Sequence, residues 1–375
     1  MAILLVNRLR RNFNVVQKSK PMLHNKLPSI ALIILLMQML VPELYSQQKV
    51  VVFNPYSDVN FSSEHFKSNF HTHTTESDGS QEPAAVIDGY KNQGYNALAL
   101  TDHNHLTWPW EKYGRSPEEL DMLAIPGNEL SRHHHNLSLF TRYPYPLRND
   151  VPDQLHTSLR EVEETGGLNV LAHPGRYWEP DGDDEVIPDF ALARYMGLFY
   201  NYEKLVGMEV HNQTDRYPWD RKLWDALLEE MMPERPVWGF ANDDSHGKSH
   251  IGLNANWFPM QELRESSMRS AMIDGHFYFS TVTTHPEEDQ NLQSSPKITE
   301  VIYSEQTNTL TIVAEVNGEQ VDESAFTWFS NRGEVVARGS GINLNETEGL
   351  STYLRAEIES TGARTYTQPF GLADK

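Results

Sequence analysis

Asn96-Ala97-Leu98-Ala99-Leu100-Thr101-Asp102-His103 is an apolar run that ends in two metal-capable side chains. A run this short, bounded by polar residues, reads as a buried strand rather than a helix. The stretch before it completes a unit. Ser80 stands where a helix cap belongs, Pro83 falls in the first turn, Ala84, Ile87 and Tyr90 share one face, and Gly94 marks the end. A helix over residues 80–94 followed by a strand over 96–101 is the repeating element of α/β architecture, and it carries Asp102 and His103 to one end of a sheet.

The pattern recurs on both sides of this unit. Phe70 leads into His71-Thr72-His73, residues 123–128 end at Glu129, and Val170-Leu171-Ala172 ends at His173-Pro174. Leu205-Val206-Gly207-Met208 ends at Glu209-Val210-His211, and Asp243-Asp244-Ser245-His246-Gly247 closes the series. A barrel of parallel strands gathers its strand ends on one face, so ligands distant in sequence converge there. His71 and His73 stand at i and i+2 of an extended segment and point the same way. Asp78 lies in the polar turn 76–79, either as a ligand or as a turn-former. Asp102 reads as a cap or as a carboxylate that orients His103, which is the better ligand. Glu129 is placed to bridge two ions.

Further helices are expected over 151–165 and 218–232, with a long loop over 177–189 on the ligand face. Residues 47–65 form a lead-in with one strand at 50–53, and the α/β region runs over 66–290. Past residue 290 the chain changes to period-two alternation at 299–303, 309–316, 326–330, 334–338 and 353–358, with turns at Asn317-Gly318, Asn331-Arg332-Gly333 and Gly339-Ser340-Gly341. Residues 296–375 therefore read as a small all-β, Ig-like module of sandwich type.

The chain has 375 residues, with 52 acidic against 31 basic side chains. A surface so acidic repels nucleic acid polymers, whereas a small anion remains acceptable beside bound cations. No cysteine is present, so any metal must be held by nitrogen and oxygen, which favours Mn, Zn, Fe or Mg. Residues 1–46 have the pattern of a signal peptide: an apolar stretch over 27–41, too short for a comfortable permanent span, follows His24 and Lys26, with Met22 as an alternative start. This predicts an exported, periplasmic or secreted protein.

Taken together, His71-Thr-His73, Asp78-Gly79, Leu100-Thr-Asp-His103, Gly127-Asn-Glu129, Ala172-His173-Pro-Gly175 and Asp244-Ser-His246 resemble the ordered motifs of the PHP (polymerase and histidinol phosphatase) superfamily. The likeness covers residues 66–275. It implies a distorted (β/α)7 barrel holding two or three divalent ions (Mn, Zn or Fe) and phosphoester hydrolysis as the commonest activity. Carried over residue by residue, it implies one ion on His71, His73, Glu129 and Asp244. A second would take Glu129, His173 and a histidine of the run His133-His134-His135, with His134 favoured over His135 by likeness to the family's His-x-Asn form. A third would sit on Asp78, His103 and His246.

Metal-activated water then replaces any side-chain nucleophile. Asp244 or Asp102 is the expected proton acceptor and His211 the expected acid at the leaving oxygen. Arg176, then Arg132, then Lys248 and His250, are the expected phosphate donors. Trp108, Trp110, Tyr177 and Trp178 either wall a pocket or pack on the barrel. The expected activity is hydrolysis of a small phosphorylated substrate. The alternatives are an amidohydrolase or esterase on the same centre, and a catalytically silent module that binds a glycan or protein through its C-terminal β-domain.

Overall fold

The computed structural model describes residues 48–132, 134–143, 154–180, 186–283 and 292–375. The expected export segment 1–46 lies outside them, as does His133. The N-terminal half of the described chain supplies β1 (Lys49–Phe53), β2 (Glu64–Asn69), β3 (Ala97–Leu98), β4 (Leu123–Ala124), β5 (Gly127–Leu130) and β6 (Asn136–Leu139). Then follow β7 (Leu168–Leu171), β8 (Leu205–Asn212), β9 (Trp238–Asn242), β10 (Asn254–Met260) and β11 (Tyr278–Val282). Helices occupy Pro83–Asn92, Gln154–Glu164, Asp189–Asn201, Trp219–Met231 and Glu265–Asp274. No helix among the described residues is long and apolar enough to cross a membrane.

The helix Pro83–Asn92 starts at its proline and buries Pro83, Val86, Ile87 and Tyr90. Ser80 is not its cap: the Ser80 hydroxyl donates instead to the His246 carbonyl at 2.8 Å. Gly94, at φ +75°, ends the turn in the left-handed region that glycine tolerates.

The molecule is a mixed α/β protein with a mostly β C-terminal region. One sheet contains β4, β3, β2, β10 and β11 in that spatial order, and a second runs β5-β6-β7-β8-β9. The expected (β/α)7 barrel is therefore built as two sheets rather than one hydrogen-bonded ring. They meet at a common rim through two isolated bridges, Thr72 with Ser245 and His103 with Glu129. Two local features limit closure: β3 and β4 are two residues long, and β6 runs antiparallel to both β5 and β7. Close strand approach elsewhere depends on Gly207, where an added Cβ would meet the Trp238 carbonyl oxygen at 2.1 Å.

The C-terminal strands are β12 (Lys297–Ser304), β13 (Thr309–Val316), β14 (Glu319–Gln320), β15 (Phe326–Ser330), β16 (Glu334–Arg338), β17 (Gly341–Asn343), β18 (Tyr353–Ser360), β19 (Ala363–Tyr366) and β20 (Phe370–Asp374). They do not hang from the rest by a linker alone. The strand β19 pairs antiparallel with β11, and the lead-in strand β1 pairs with β20. Alternation along β11 divides its side chains between two cores: Tyr278 packs with Ile298, Leu310 and Trp328, and Phe279 with Leu223, Trp224 and Tyr366. Below β18, Arg355 makes a buried bidentate pair with Asp225 of the helix Trp219–Met231, at 2.7 and 2.8 Å.

Candidate metal centre

The strand ends at the common rim bring five imidazoles around one carboxylate. Glu129, fully buried, has Oε1 at 2.7 Å from His135 Nδ1, 3.2 Å from His173 Nε2 and 3.4 Å from His71 Nε2. Its Oε2 lies 2.7 Å from His103 Nδ1 and 3.5 Å from His73 Nε2. Asp244 Oδ1 faces the same histidines from the other side, 3.1 Å from His73 Nε2 and 3.3 Å from His71 Nε2. Beyond His73, Asp78 Oδ2 lies 3.3 Å from His246 Nε2 and 3.5 Å from His103 Nε2. These residues form four overlapping groups able to hold an ion: His71, His73 and Asp244; His71, Glu129 and His173; His103, Glu129 and His135; and His73, Asp78, His103 and His246.

The donors fit divalent cations. His103 Nδ1 and Glu129 Oε2 are buried and close, yet neither finds a hydrogen-bond partner. Two imidazole nitrogens, His71 Nε2 and His73 Nε2, face each other at 3.2 Å. Lone pairs so directed are the arrangement a cation shared between nitrogen and oxygen donors requires. Tautomers are set from behind. His71 Nδ1 donates to Glu209 Oε1 at 2.8 Å, and His246 Nδ1 donates to the Asp244 carbonyl at 2.9 Å, so each ring turns Nε2 to the centre.

The centre is strongly anionic. Burial acts to lower the His71 pKa, but Asp244, Glu209 and Glu129 outweigh it and hold it well above the usual histidine value. Burial opposes ionisation of Glu129, while the imidazoles of His71, His103, His135 and His173 around it hold it well below the carboxylate range. Asp244 is lowered too, against burial, by His71 and His73. Backbone strain accompanies the site: His173 and Asp244 sit at φ +30° and +43°, a region unfavourable for side chains with a Cβ.

Several expectations change. His135 rather than His134 faces Glu129. Glu129 pairs across the β5–β6 hairpin with Leu137, directly opposed residues share a face, and His135 lies two positions from Leu137. His134 turns the other way, stacked on Tyr177 with ring centroids 4.0 Å apart. His211 is not in the centre, and its acid role falls. Pairing of β8 with β9 shifts between Glu209 and His211, and the irregularity sends Glu209 towards His71 and His211 towards Tyr366, 4.9 Å away. Burial, then Arg221, Arg364 and Arg355, push the His211 pKa well below its usual value, so the ring stays neutral.

Asp102 does not touch His103. Its carboxylate accepts from Thr74 N at 2.7 Å, Thr74 Oγ1 at 2.8 Å, Ser77 Oγ at 2.6 Å and Thr107 Oγ1 at 2.5 Å. Asp243 points away from the centre and caps the Gly252, Leu253 and Asn254 amides. Trp110 and Trp178 are buried packing residues, and Trp108 is half-buried.

Glu209 is the residue that sequence reasoning undervalued. Besides His71, it accepts from His173 N, Asn212 Nδ2 and Asn242 Nδ2, each at 2.9 Å. Its signal was visible, a carboxylate closing a strand like the ligands themselves.

At the mouth, Tyr177 accepts the His135 amide at 3.0 Å, and the Tyr217 ring lies 5.2 Å from that of His173. Each tyrosine carries its neighbouring arginine over its ring, Arg176 at 5.9 Å and Arg216 at 5.3 Å. Both arginines are exposed, and among the described residues neither forms an ion pair. Arg132 follows β5 in the turn that leads to His135.

No protein-family model and no curated protein matches the chain. Solved structures do. A two-domain protein from Bacteroides vulgatus, described as containing a predicted PHP-like metal-dependent phosphoesterase, is 17% identical over 86% of this chain and 98% of its own, with a TM-score of 0.45. An amidohydrolase from Chromobacterium violaceum is 16% identical over 48% and 87%, at 0.34. A lesion-specific endonuclease from Pyrococcus furiosus is 16% identical over 56% of each chain, at 0.40. Likeness at this level decides nothing about chemistry; the side chains at the rim do.

Proposed function

We propose that the chain is a metal-dependent phosphoesterase acting on a small phosphorylated molecule. The observation that carries this is Glu129, a buried carboxylate with both oxygens inside a ring of five imidazoles and with Asp244 opposite. Such a donor set would hold two or three divalent ions, and its nitrogen and oxygen donors suit Mn, Zn or Fe. The residues that would hold them are His71, His73 and Asp244 with Glu129; Glu129, His135 and His173; and Asp78, His103 and His246. Bound there, divalent ions lower the pKa of a water and neutralise charge on phosphoryl oxygens.

The protein's own groups supply the rest. Glu209 and the Asp244 carbonyl keep His71 and His246 in the liganding tautomer. To Asp244, which faces His71 and His73 at 3.3 and 3.1 Å, we assign the proton of the attacking water. Arg176 and Arg216, exposed and without carboxylate partners among the described residues in a chain of net charge −21, favour an anionic substrate over a neutral amide or ester. The apolar segment 27–41 supports action outside the cytoplasm.

The test is elemental analysis of purified protein combined with turnover of an aryl phosphate, an aryl ester and an anilide. We expect two or three ions per chain and phosphate release that a chelator abolishes. Ester or anilide turnover without phosphate release would move the chain to the amidohydrolase or esterase class. Absence of metal and of all turnover would leave a binding module.

A further inference from the structure

The candidate ligands are not equally enclosed. Side chains of His71, His73 and Glu129 are 0% exposed and that of His173 2%, while Asp78 is 53%, His246 30% and His103 24% exposed. Asp78 also differs in support. It stands on no strand but on the loop 74–80, and its carboxylate position follows that loop.

The loop is tied at both ends. At its start, Asp102, fully buried, accepts the Thr74 amide, the Thr74 hydroxyl and the Ser77 hydroxyl, and Thr107 holds the same carboxylate from behind. At its end, the Ser80 amide and hydroxyl both donate to the carbonyl of His246, itself a ligand of the same group, at 2.9 and 2.8 Å. Between the ties, Gly79 lies so close to His73 that an added Cβ would meet the His73 carbonyl carbon and oxygen at 2.6 Å. Three of the four hydrogen bonds that Asp102 accepts thus come from the loop that carries Asp78, and none from His103.

Building on the metal-dependent reading above, we propose that the ion on Asp78, His103 and His246 is the exchangeable one, and that Asp102 is the positioning residue that sets its affinity. The two enclosed positions form the retained core, and the third exchanges with solvent. An oxygen ligand on a solvent-facing loop releases its ion first, because water competes for the vacated coordination position and little buried structure must move. Removing an outer partner of a metal ligand typically weakens binding about 10–100-fold.

The experiment loads the purified chain with Mn(II), dialyses it against graded chelator and counts ions per chain by mass spectrometry. The wild type should lose one ion at a chelator strength that leaves two. Asp102→Asn, which cannot accept at both oxygens, should lose that ion at about 10–100-fold lower chelator strength and keep the other two. Ser77→Ala removes one hydroxyl at a half-buried position and should shift the same step by several-fold, which covers the case of an Asp102 variant that does not fold. Asp78→Ala should give a two-ion protein. Release of all ions in one step, an Asp102→Asn curve superposed on the wild type, or three ions retained in Asp78→Ala would each overturn the proposal. A stepwise metal loss with no phosphate release would instead refute the assigned activity and leave this inference standing.

Discussion

Replacing Glu209 by glutamine tests how the centre is organised from behind. The Glu209 carboxylate accepts four hydrogen bonds, His71 Nδ1 and Asn242 Nδ2 on Oε1, and His173 N and Asn212 Nδ2 on Oε2. A glutamine amide has one accepting oxygen, so one pair of donors must meet an NH2 group. With the NH2 towards His71, the ring must accept at Nδ1 and carry its proton on Nε2, which lies 3.3 Å from Asp244 and 3.4 Å from Glu129. That nitrogen then cannot bind a cation. With the NH2 on the other side, the buried donors of His173 and Asn212 lose their acceptor, at about 1–3 kcal/mol each. Either way core-ion affinity should fall about 10–100-fold, or roughly 1.4–2.8 kcal/mol. Calorimetric Mn(II) titration of metal-free protein reads this directly, and a melt of the metal-free form reports the unpaired donors. Core-ion affinity within twofold of wild type would show that Glu209 does not orient His71.

Three further outcomes are expected. His135→Ala should lose the ion shared with Glu129 and His173, whereas His134→Ala should keep the full metal count; the reverse would contradict the hairpin register. Asp225→Ala removes the bidentate partner of the buried Arg355 guanidinium, leaving it only Glu357 on its own strand, and should cost about 3–5 kcal/mol in denaturant unfolding; a loss under 1 kcal/mol would show that the pair does not join the helix to the C-terminal sheet. His65 is buried, and burial lowers its pKa to about 4, outweighing the hydrogen bond to the Phe61 carbonyl. Because the folded pKa is depressed, the unfolded chain takes the proton first as pH falls. Stability is therefore whole above about pH 6.5 and lost towards pH 4, by up to about 3 kcal/mol at 1.36 kcal/mol per pH unit. His65→Gln, compared with wild type as metal-free protein, should show a flatter acid limb; parallel curves would refute the assignment.

Local sequence carried a large part of this protein. The runs before His71, His173 and Asp244 are legible as strands because a strand and the side chain that follows it are contiguous in the chain, whereas the run before Glu129 divides into β4 and β5 in different sheets, with Glu129 inside β5, and β3 stops at Leu98, five residues short of His103. The alternating segments after residue 296 are legible for the same reason, with hairpin turns at Asn317-Gly318 and Asn331-Arg332-Gly333 marked by left-handed backbone. The C-terminal ends of the helices Gln154–Glu164 and Trp219–Met231 follow from the glycines and proline beyond them.

What the chain could not show is which way a side chain turns once its strand is paired. His134 and His135 are equivalent until the hairpin register opposes Leu137 to Glu129. Glu209 and His211 should share a face by simple alternation, and only the irregular pairing with β9 parts them. Asp102 stands beside His103 in sequence and serves Thr74 and Ser77 in space. The C-terminal strands read as a separate module, yet β19 completes the edge of β11 and Arg355 reaches Asp225, because a sheet edge and a buried charge are satisfied by whatever the fold brings near. Composition and periodicity act over a few residues, and so settle elements and candidate ligands. Register, bulges and long-range hydrogen bonds form only when distant segments meet, and they decide which of those candidates face the metal.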